Sequence, residues 1–278
     1  MANNEMMSYI KRDSMIHELT GTTKFVVFLL FSMAGMMTYD TRVLVGMLLF
    51  SIFAFSLGRI QLKEVKVIFI FMGAFLVLNS IFIYLFAPEQ GVFIYGTRNV
   101  IWEGVGRYTL TQEQIFYMFN VCLKYFVTLP MAILFISTTN PSEFASSLNK
   151  IGVSYRIGYS VSLALRYIPD IQRDFHAISQ AQQARGVELG KNVPMNKRVK
   201  NTINILFPLI LSSLERIDTI SSAMELRGFG KYKKRSWYTQ RSFQKKDYLT
   251  IGIGVLILVV SIVITYWDGS RYFNPFIK

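Results

Sequence analysis

Two nine-residue segments decide how this chain reads: Ile178-Ser179-Gln180-Ala181-Gln182-Gln183-Ala184-Arg185-Gly186 and Ile220-Ser221-Ser222-Ala223-Met224-Glu225-Leu226-Arg227-Gly228. Set side by side they agree at five of nine positions, in the pattern Ile-Ser-x-Ala-x-x-x-Arg-Gly. Each lies downstream of a proline inside a helical pattern, Pro169 and Pro208, where the missing N–H predicts a kink. Glycine just past a last helical turn accepts the left-handed conformation, and a cation there suits the negative end of the helix dipole. One Arg-Gly is therefore no more than a helix stop. The same frame occurring twice marks two matched tips, Ala184-Arg185-Gly186 and Leu226-Arg227-Gly228.

Outward from the tips, Tyr155 to Glu188 as unbroken helix would reach about 50 Å, more than a bilayer core is thick. It also carries Arg166, Asp170, Arg173 and Asp174, so it reads as a rod outside the hydrocarbon. Asn196 to Leu226 repeats the design, apolar around Phe207-Pro208-Leu209-Ile210-Leu211 and polar beyond. Before both rods, Asn140-Pro141-Ser142-Glu143 is a helix start, with Asn140 as cap, Pro141 in the first turn and Glu143 placed to reach back. The short helix that follows, to Lys150, has Phe144 and Leu148 on one face.

The rest of the chain is membrane-like. Apolar residues make up 52% of it and the mean hydropathy is positive, too greasy for a soluble domain of this length. The net charge of +13 does not point to nucleic acid, because apolar spans separate the basic residues. Cys122 is the single cysteine, which excludes intrachain disulfides and thiolate metal sites. No cleavable signal pattern precedes the first apolar run, so the chain is expected to stay whole.

In order, Phe25–Met37 and Val43–Leu57 are short apolar runs that read as a hairpin, and Val67–Ala87 is a charge-free span. Residues 88–113 read as a loop, with Arg98 and Arg107 against Glu89, Glu103 and Glu113. Ile115–Ser137 is a fourth span containing Lys124, which either marks a function or sits toward an interface. Tyr248–Trp267 is the last. Lys11, Arg12 and Lys24, the 58–66 loop with Arg59, Lys63 and Lys66, and the basic central region fall on one side if four spans precede the rods. That arrangement makes the N-terminus and the rods cytoplasmic. The expected fold is an all-α integral membrane protein with about five transmembrane helices and a cytoplasmic domain of three helices. Its segments are 1–138 (four membrane helices), 139–247 (the three cytoplasmic helices) and 248–278 (the last span).

Catalytic chemistry is sparse. Gly228-Phe229-Gly230-Lys231 lacks the first glycine and the final hydroxyl of a P-loop, so the chain is not expected to bind ATP itself. His17 and His176 have no ligand partners at helical spacing. Asp170 and Asp174 share a helical face and could hold magnesium in a membrane enzyme acting on lipid phosphates. Arg166 and Arg173 beside them point instead to surface ion pairs. A self-contained carrier would place polar groups at mid-membrane, and these lie in the rods.

Several motifs taken in order resemble the transmembrane T component (EcfT) of energy-coupling factor transporters and its CbiQ relatives in cobalt and nickel uptake. They are Ser14-Met15-Ile16-His17-Glu18-Leu19 before Thr23-Lys24, Thr138-Thr139-Asn140-Pro141-Ser142-Glu143, Arg166-Tyr167-Ile168-Pro169, Ala184-Arg185-Gly186, and Leu226-Arg227-Gly228-Phe229. The resemblance implies a scaffold without catalytic residues or a cofactor of its own. Its coupling helices would dock Arg185 and Arg227 onto two cytoplasmic ATP-binding-cassette ATPases, which bind the ATP and magnesium. A separate membrane S component would bind the vitamin or other micronutrient. Leu226 stands where the family motif has alanine, so packing at the two tips need not be equal.

Overall fold

A computed structural model of the protein describes residues 14–104, 106, 108–187, 194–232, 237, 241–267 and 269–276. Lys11, Arg12, Arg107 and Glu188 lie outside the described residues. The helices are α1 (Met15–Glu18), α2 (Gly21–Met37), α3 (Thr41–Leu57), α4 (Leu62–Phe86), α5 (Gln90–Tyr95), α6 (Gln112–Thr138), α7 (Pro141–Lys150), α8 (Tyr155–Ala184), α9 (Met195–Leu226) and α10 (Lys245–Trp267). A short antiparallel ribbon joins β1 (Val100–Trp102) to β2 (Leu110–Thr111). Contacts divide the chain into Met1–Glu143 with Arg241–Lys278, and Phe144–Gln240.

In the first unit, α4, α6 and α10 are long and apolar enough to cross a membrane, and α2 and α3 are shorter apolar helices. The buried cluster is built from Phe31, Ala34, Leu44, Met47, Val127 and Met131 of α2, α3 and α6. Helix α4 buries only Val65, Met72 and Leu76, and exposes Ile70, Phe71, Val77 and Phe86. Exposed apolar surface on that scale belongs in lipid or against a partner.

Hydrogen bonds between helix ends fix the helix directions. Asp247 at the start of α10 accepts from Thr23 Oγ1 at the start of α2 (2.8 Å), and Thr265 near the end of α10 bonds Thr38 just past α2 (2.6 Å). The two helices therefore run parallel. Lys24 Nζ of α2 donates to Thr138 O at the end of α6 (2.7 Å), so these two run antiparallel. Thr41 reaches Asn120 (2.7 Å) and Gly58 packs on Leu134, which sets α3 parallel to α6. Phe75 against Tyr125 and Ser80 beside Cys122 set α4 antiparallel to α6. Directions thus alternate through α2, α3, α4, α6 and α10. The chain leaves and re-enters this bundle at one end, with Glu143 Oε1 3.3 Å from Arg241 Nε.

Lys24 is a correction to its reading as a residue before the span. It lies inside α2 and is buried, its ammonium held by the carbonyl of Thr138. The 88–113 segment also holds more order than Pro88 and its glycines signal. Glu113 is fully buried and accepts from Thr97 Oγ1 (2.9 Å), the Asn99 backbone N–H (3.0 Å) and Asn99 Nδ2 (2.8 Å). Gly91 lets α5 approach α6 so closely that a Cβ there would lie 2.4 Å from the Glu113 carbonyl. Gly91→Ala is accordingly expected to lower stability by about 1–3 kcal/mol. A thermal midpoint equal to that of the unaltered chain would contradict this close approach.

Candidate functional site

The second unit carries the two matched tips. Helix α7 opens as its sequence implies, with Asn140 Oδ1 accepting from the Ser142 N–H (3.0 Å). Gly158 then admits α8, since a Cβ there would meet Ala145 O at 2.9 Å and the Trp237 ring at 3.3 Å. Trp237 is itself fixed by donating Nε1–H to Asn149 Oδ1 (3.2 Å).

Helices α8 and α9 lie antiparallel. Phe229, just beyond α9, packs on Tyr155 and Tyr159 at the start of α8 (ring centroids 5.6 and 5.0 Å), and Arg156 donates to Gly230 O (2.9 Å). Further along, Arg216 of α9 pairs with Asp174 of α8 at 2.5 Å. Pro169 and Pro208 sit inside continuous helices, leaving the carbonyls of Leu165 and Asn204 without their usual helical donors.

The tips have the same backbone. Arg185 and Arg227 are the C-cap residues, with φ/ψ of −88/9° and −84/10°. Gly186 and Gly228 follow with φ of 87° and 66°, a left-handed conformation that an L side chain resists. The Val187 N–H bonds Gln182 O and the Gly186 N–H bonds Gln183 O; at the second tip Phe229 bonds Met224 O and Gly228 bonds Glu225 O. This is the Schellman pattern at both ends. Helix α7 closes in the same way, with Val153 to Leu148 O and Gly152 to Asn149 O, but has Ile151 at the cap. The turn alone is thus an ordinary helix stop. What α8 and α9 share, and α7 lacks, is an arginine held at the cap.

Both guanidinium side chains are exposed and form no ion pair with a described residue. They also stand far apart. Arg227 is two residues from Phe229 on Tyr159, and Arg185 is 26 residues farther along α8, so the tips are roughly 40 Å apart along the pair. They cannot share one small anion. Between them, α9 exposes Val199, Ile203, Phe207, Ile210, Leu214 and Ile217 at helical spacing, an apolar stripe about 27 Å long.

The carboxylates considered for metal chemistry are both engaged. Asp170 pairs with Arg173 one turn away, and Asp174 with Arg216, whose guanidinium also lies near the Tyr167 ring. This is the ion-pair arrangement, and it ties α8 to α9. His17 bonds the Ser14 cap through Nδ1 (2.7 Å), and His176 stacks edge-on near Phe175.

Sequence reasoning passed over Asp247. In the first unit its Oδ1 accepts from the Thr20 N–H (2.9 Å) and Thr23 Oγ1, and its Oδ2 from the Gln244 N–H (2.8 Å). The available signal was a lone acid closing the basic run that precedes the last span.

The profile of the family described as CbiQ, cobalt transport protein, matches residues 12–238. An energy-coupling factor transporter transmembrane protein EcfT of Streptococcus equi is 32% identical over 266 residues, covering 91% of this chain and 93% of its own. Proteins of the same name from Lactococcus lactis (28% identical, 96% and 99% covered) and Streptococcus thermophilus (27%, 93% and 96%) are similar over nearly their whole lengths.

Proposed function

This chain belongs to the CbiQ/EcfT family and is the transmembrane component of an energy-coupling factor transporter, and from that premise we propose that it couples two ATPases to a substrate-binding membrane subunit. Arg185 and Arg227 each dock on a separate cytoplasmic ATP-binding-cassette ATPase. The chain itself performs no catalysis and holds no cofactor; ATP and its magnesium bind the partners. The N-terminus and α7–α9 face the cytoplasm, following the basic residues of the sequence. The transported solute is a vitamin or similar micronutrient selected by the S component.

The observation that carries this reading is the pair of identically capped, exposed arginines at opposite ends of an antiparallel helix pair. A planar guanidinium fork suits carboxylates on a partner, and the spacing suits two partners rather than one. The exposed stripe on α9 supports an apolar companion. ATP-driven closure of the two ATPases moves the tips relative to each other, and the proline-interrupted helices pass that movement to the S component.

The test is purification of the tagged chain from its native membrane in mild detergent. Two ATPase subunits and one small hydrophobic protein are expected to accompany it, with ATPase activity. A chain that emerges alone and inactive would overturn the reading. In the same preparation, Leu214→Asp within the stripe is expected to reduce recovery of the hydrophobic companion at least about tenfold while both ATPases stay bound, since an unpaired buried charge costs several kcal/mol. Loss of the ATPases alone would place the stripe on the wrong partner.

A further inference from the structure

Lys124 and Arg271 converge on one helix end in the first unit. Lys124 Nζ lies 3.4 Å from the Tyr39 ring centroid and donates to Met36 O (3.1 Å). Arg271 Nη2 donates to the same Met36 O and its Nε to Met37 O, both at 2.7 Å, with its guanidinium 5.0 Å from the Tyr39 ring. The carbonyl end of a helix carries about half a negative charge, less than these two cations bring to it. Neither pairs with a carboxylate among the described residues, and the adjacent Asp40 is held by Arg42 (2.7 Å).

The depth of this pair follows from helix lengths. From Lys124 to Thr138, where Lys24 bonds the end of α6, is about 21 Å of helix, and from Lys24 to Met37 along α2 about 20 Å. Lys124 therefore stands level with the tip of the α2–α3 hairpin, at the end of α2 opposite Lys24.

An apolar groove starts at these cations. Met36, Tyr39 and Lys124 line its head, and it continues between Phe71 and Phe75 of α4 and Leu129 and Ala132 of α6, with a volume of about 390 Å³. It follows α6 from Val121 to Ala132, about 16 Å. Its walls are mostly apolar side chains, with the Lys124 ammonium at the head. Phosphate next to an acyl chain matches both the cations and the apolar walls.

We propose that this site binds an anionic phospholipid, its phosphate on Lys124 and Arg271 and one acyl chain in the groove between α4 and α6. The site is independent of the arginine tips and of the coupling reading. Occupied, it fills the sparse contact between α4 and the remaining helices, so the lipid is an integral part of that helix packing.

Native mass spectrometry of the full-length chain in its purified complex tests this, with dioleoyl phosphatidylglycerol or dioleoyl phosphatidylcholine supplied at equal concentration. Phosphatidylglycerol is expected to remain bound and phosphatidylcholine to dissociate. Lys124→Gln and Arg271→Gln should each weaken the retained lipid about fivefold, and together about 25-fold. Ala132→Phe, which fills the groove without touching the charges, should remove it as well. Equal retention of the two lipids, or undiminished phosphatidylglycerol in the double charge variant, overturns the proposal. So does displacement of the lipid by millimolar inorganic phosphate, which would show an anion site without use of the groove. A membrane subunit that displaces it would mean that the groove belongs to a protein contact. If Ala132→Phe fails to accumulate, the charge variants and the lipid comparison decide.

Discussion

Arg227→Glu will release one ATPase from the complex and leave the other in place, Arg185→Glu will do the converse, and the double variant will release both. The side chains are exposed and make no ion pair with a described residue, so the chain's own stability should change by no more than about 1 kcal/mol, the cost of an acid at a helix C-terminus. Partner binding is another matter. Reversal removes a charge-assisted, forked contact and sets like charges against each other, a loss on the order of 2–5 kcal/mol, or about 30- to 5,000-fold in affinity. At roughly 40 Å the tips lie several Debye lengths apart, so the two losses should be independent and additive. Arg227→Lys keeps the charge without the planar fork and should fall in between, nearer tenfold. Subunit stoichiometry in detergent, with ATPase rate and uptake measured on the same preparations, reads all of this. If both single reversals keep two ATPases and normal uptake, the arginines are helix stops and nothing more.

How much of this was legible in the sequence differs between the two units. The tips were, because a Schellman stop is local: Arg185-Gly186 and Arg227-Gly228 define their turn within six residues, and the repeat marks them. The apolar helices were legible from composition, and the Asn140 cap from its neighbours. The turn itself does not set the arginine tips apart, since Gly152 closes α7 identically. That the two tips stand at opposite ends of a helix pair was not legible either, because the antiparallel pairing of α8 and α9 comes from contacts such as Asp174 with Arg216, 42 residues apart. Lys24 and Lys124 looked alike as charges near apolar runs. Only the pairing of helix ends shows one bound to Thr138 and the other at Tyr39. Glu113 and Asp247 were hidden for a related reason. A buried carboxylate and a solvated one have the same hydropathy, and the donors of Asp247 on Thr20 and Thr23 lie more than 220 residues away.

Asp247→Ala is expected to destabilise the membrane bundle by about 3–5 kcal/mol. The carboxylate is almost wholly buried and holds two backbone N–H groups and a hydroxyl, from Thr20, Gln244 and Thr23. Truncation strands the two backbone N–H groups, at about 1–3 kcal/mol each before relaxation, and leaves the Thr23 hydroxyl only Thr20 Oγ1 as a partner. Asp247→Asn should cost less, about 2 kcal/mol, because its carbonyl can still accept while its amide faces a donor. Between apolar helices in lipid the hydrophobic effect contributes little, so polar contacts of this sort carry an unusual share of the association of α2 with α10. The far end of the same pair supplies a comparison: Thr265→Val removes only the bond to Thr38 and should cost about 1 kcal/mol. Thermal unfolding monitored by size-exclusion chromatography ranks the three variants. An alanine variant as stable as the parent would show that the last span is held by its apolar face alone. The loss should also be separable from that of the tips, since Asp247 lies in the first unit and Arg185 and Arg227 in the second. Below its unfolding temperature the Asp247→Ala chain should still retain both ATPases, whereas the arginine reversals lose them with no change in midpoint.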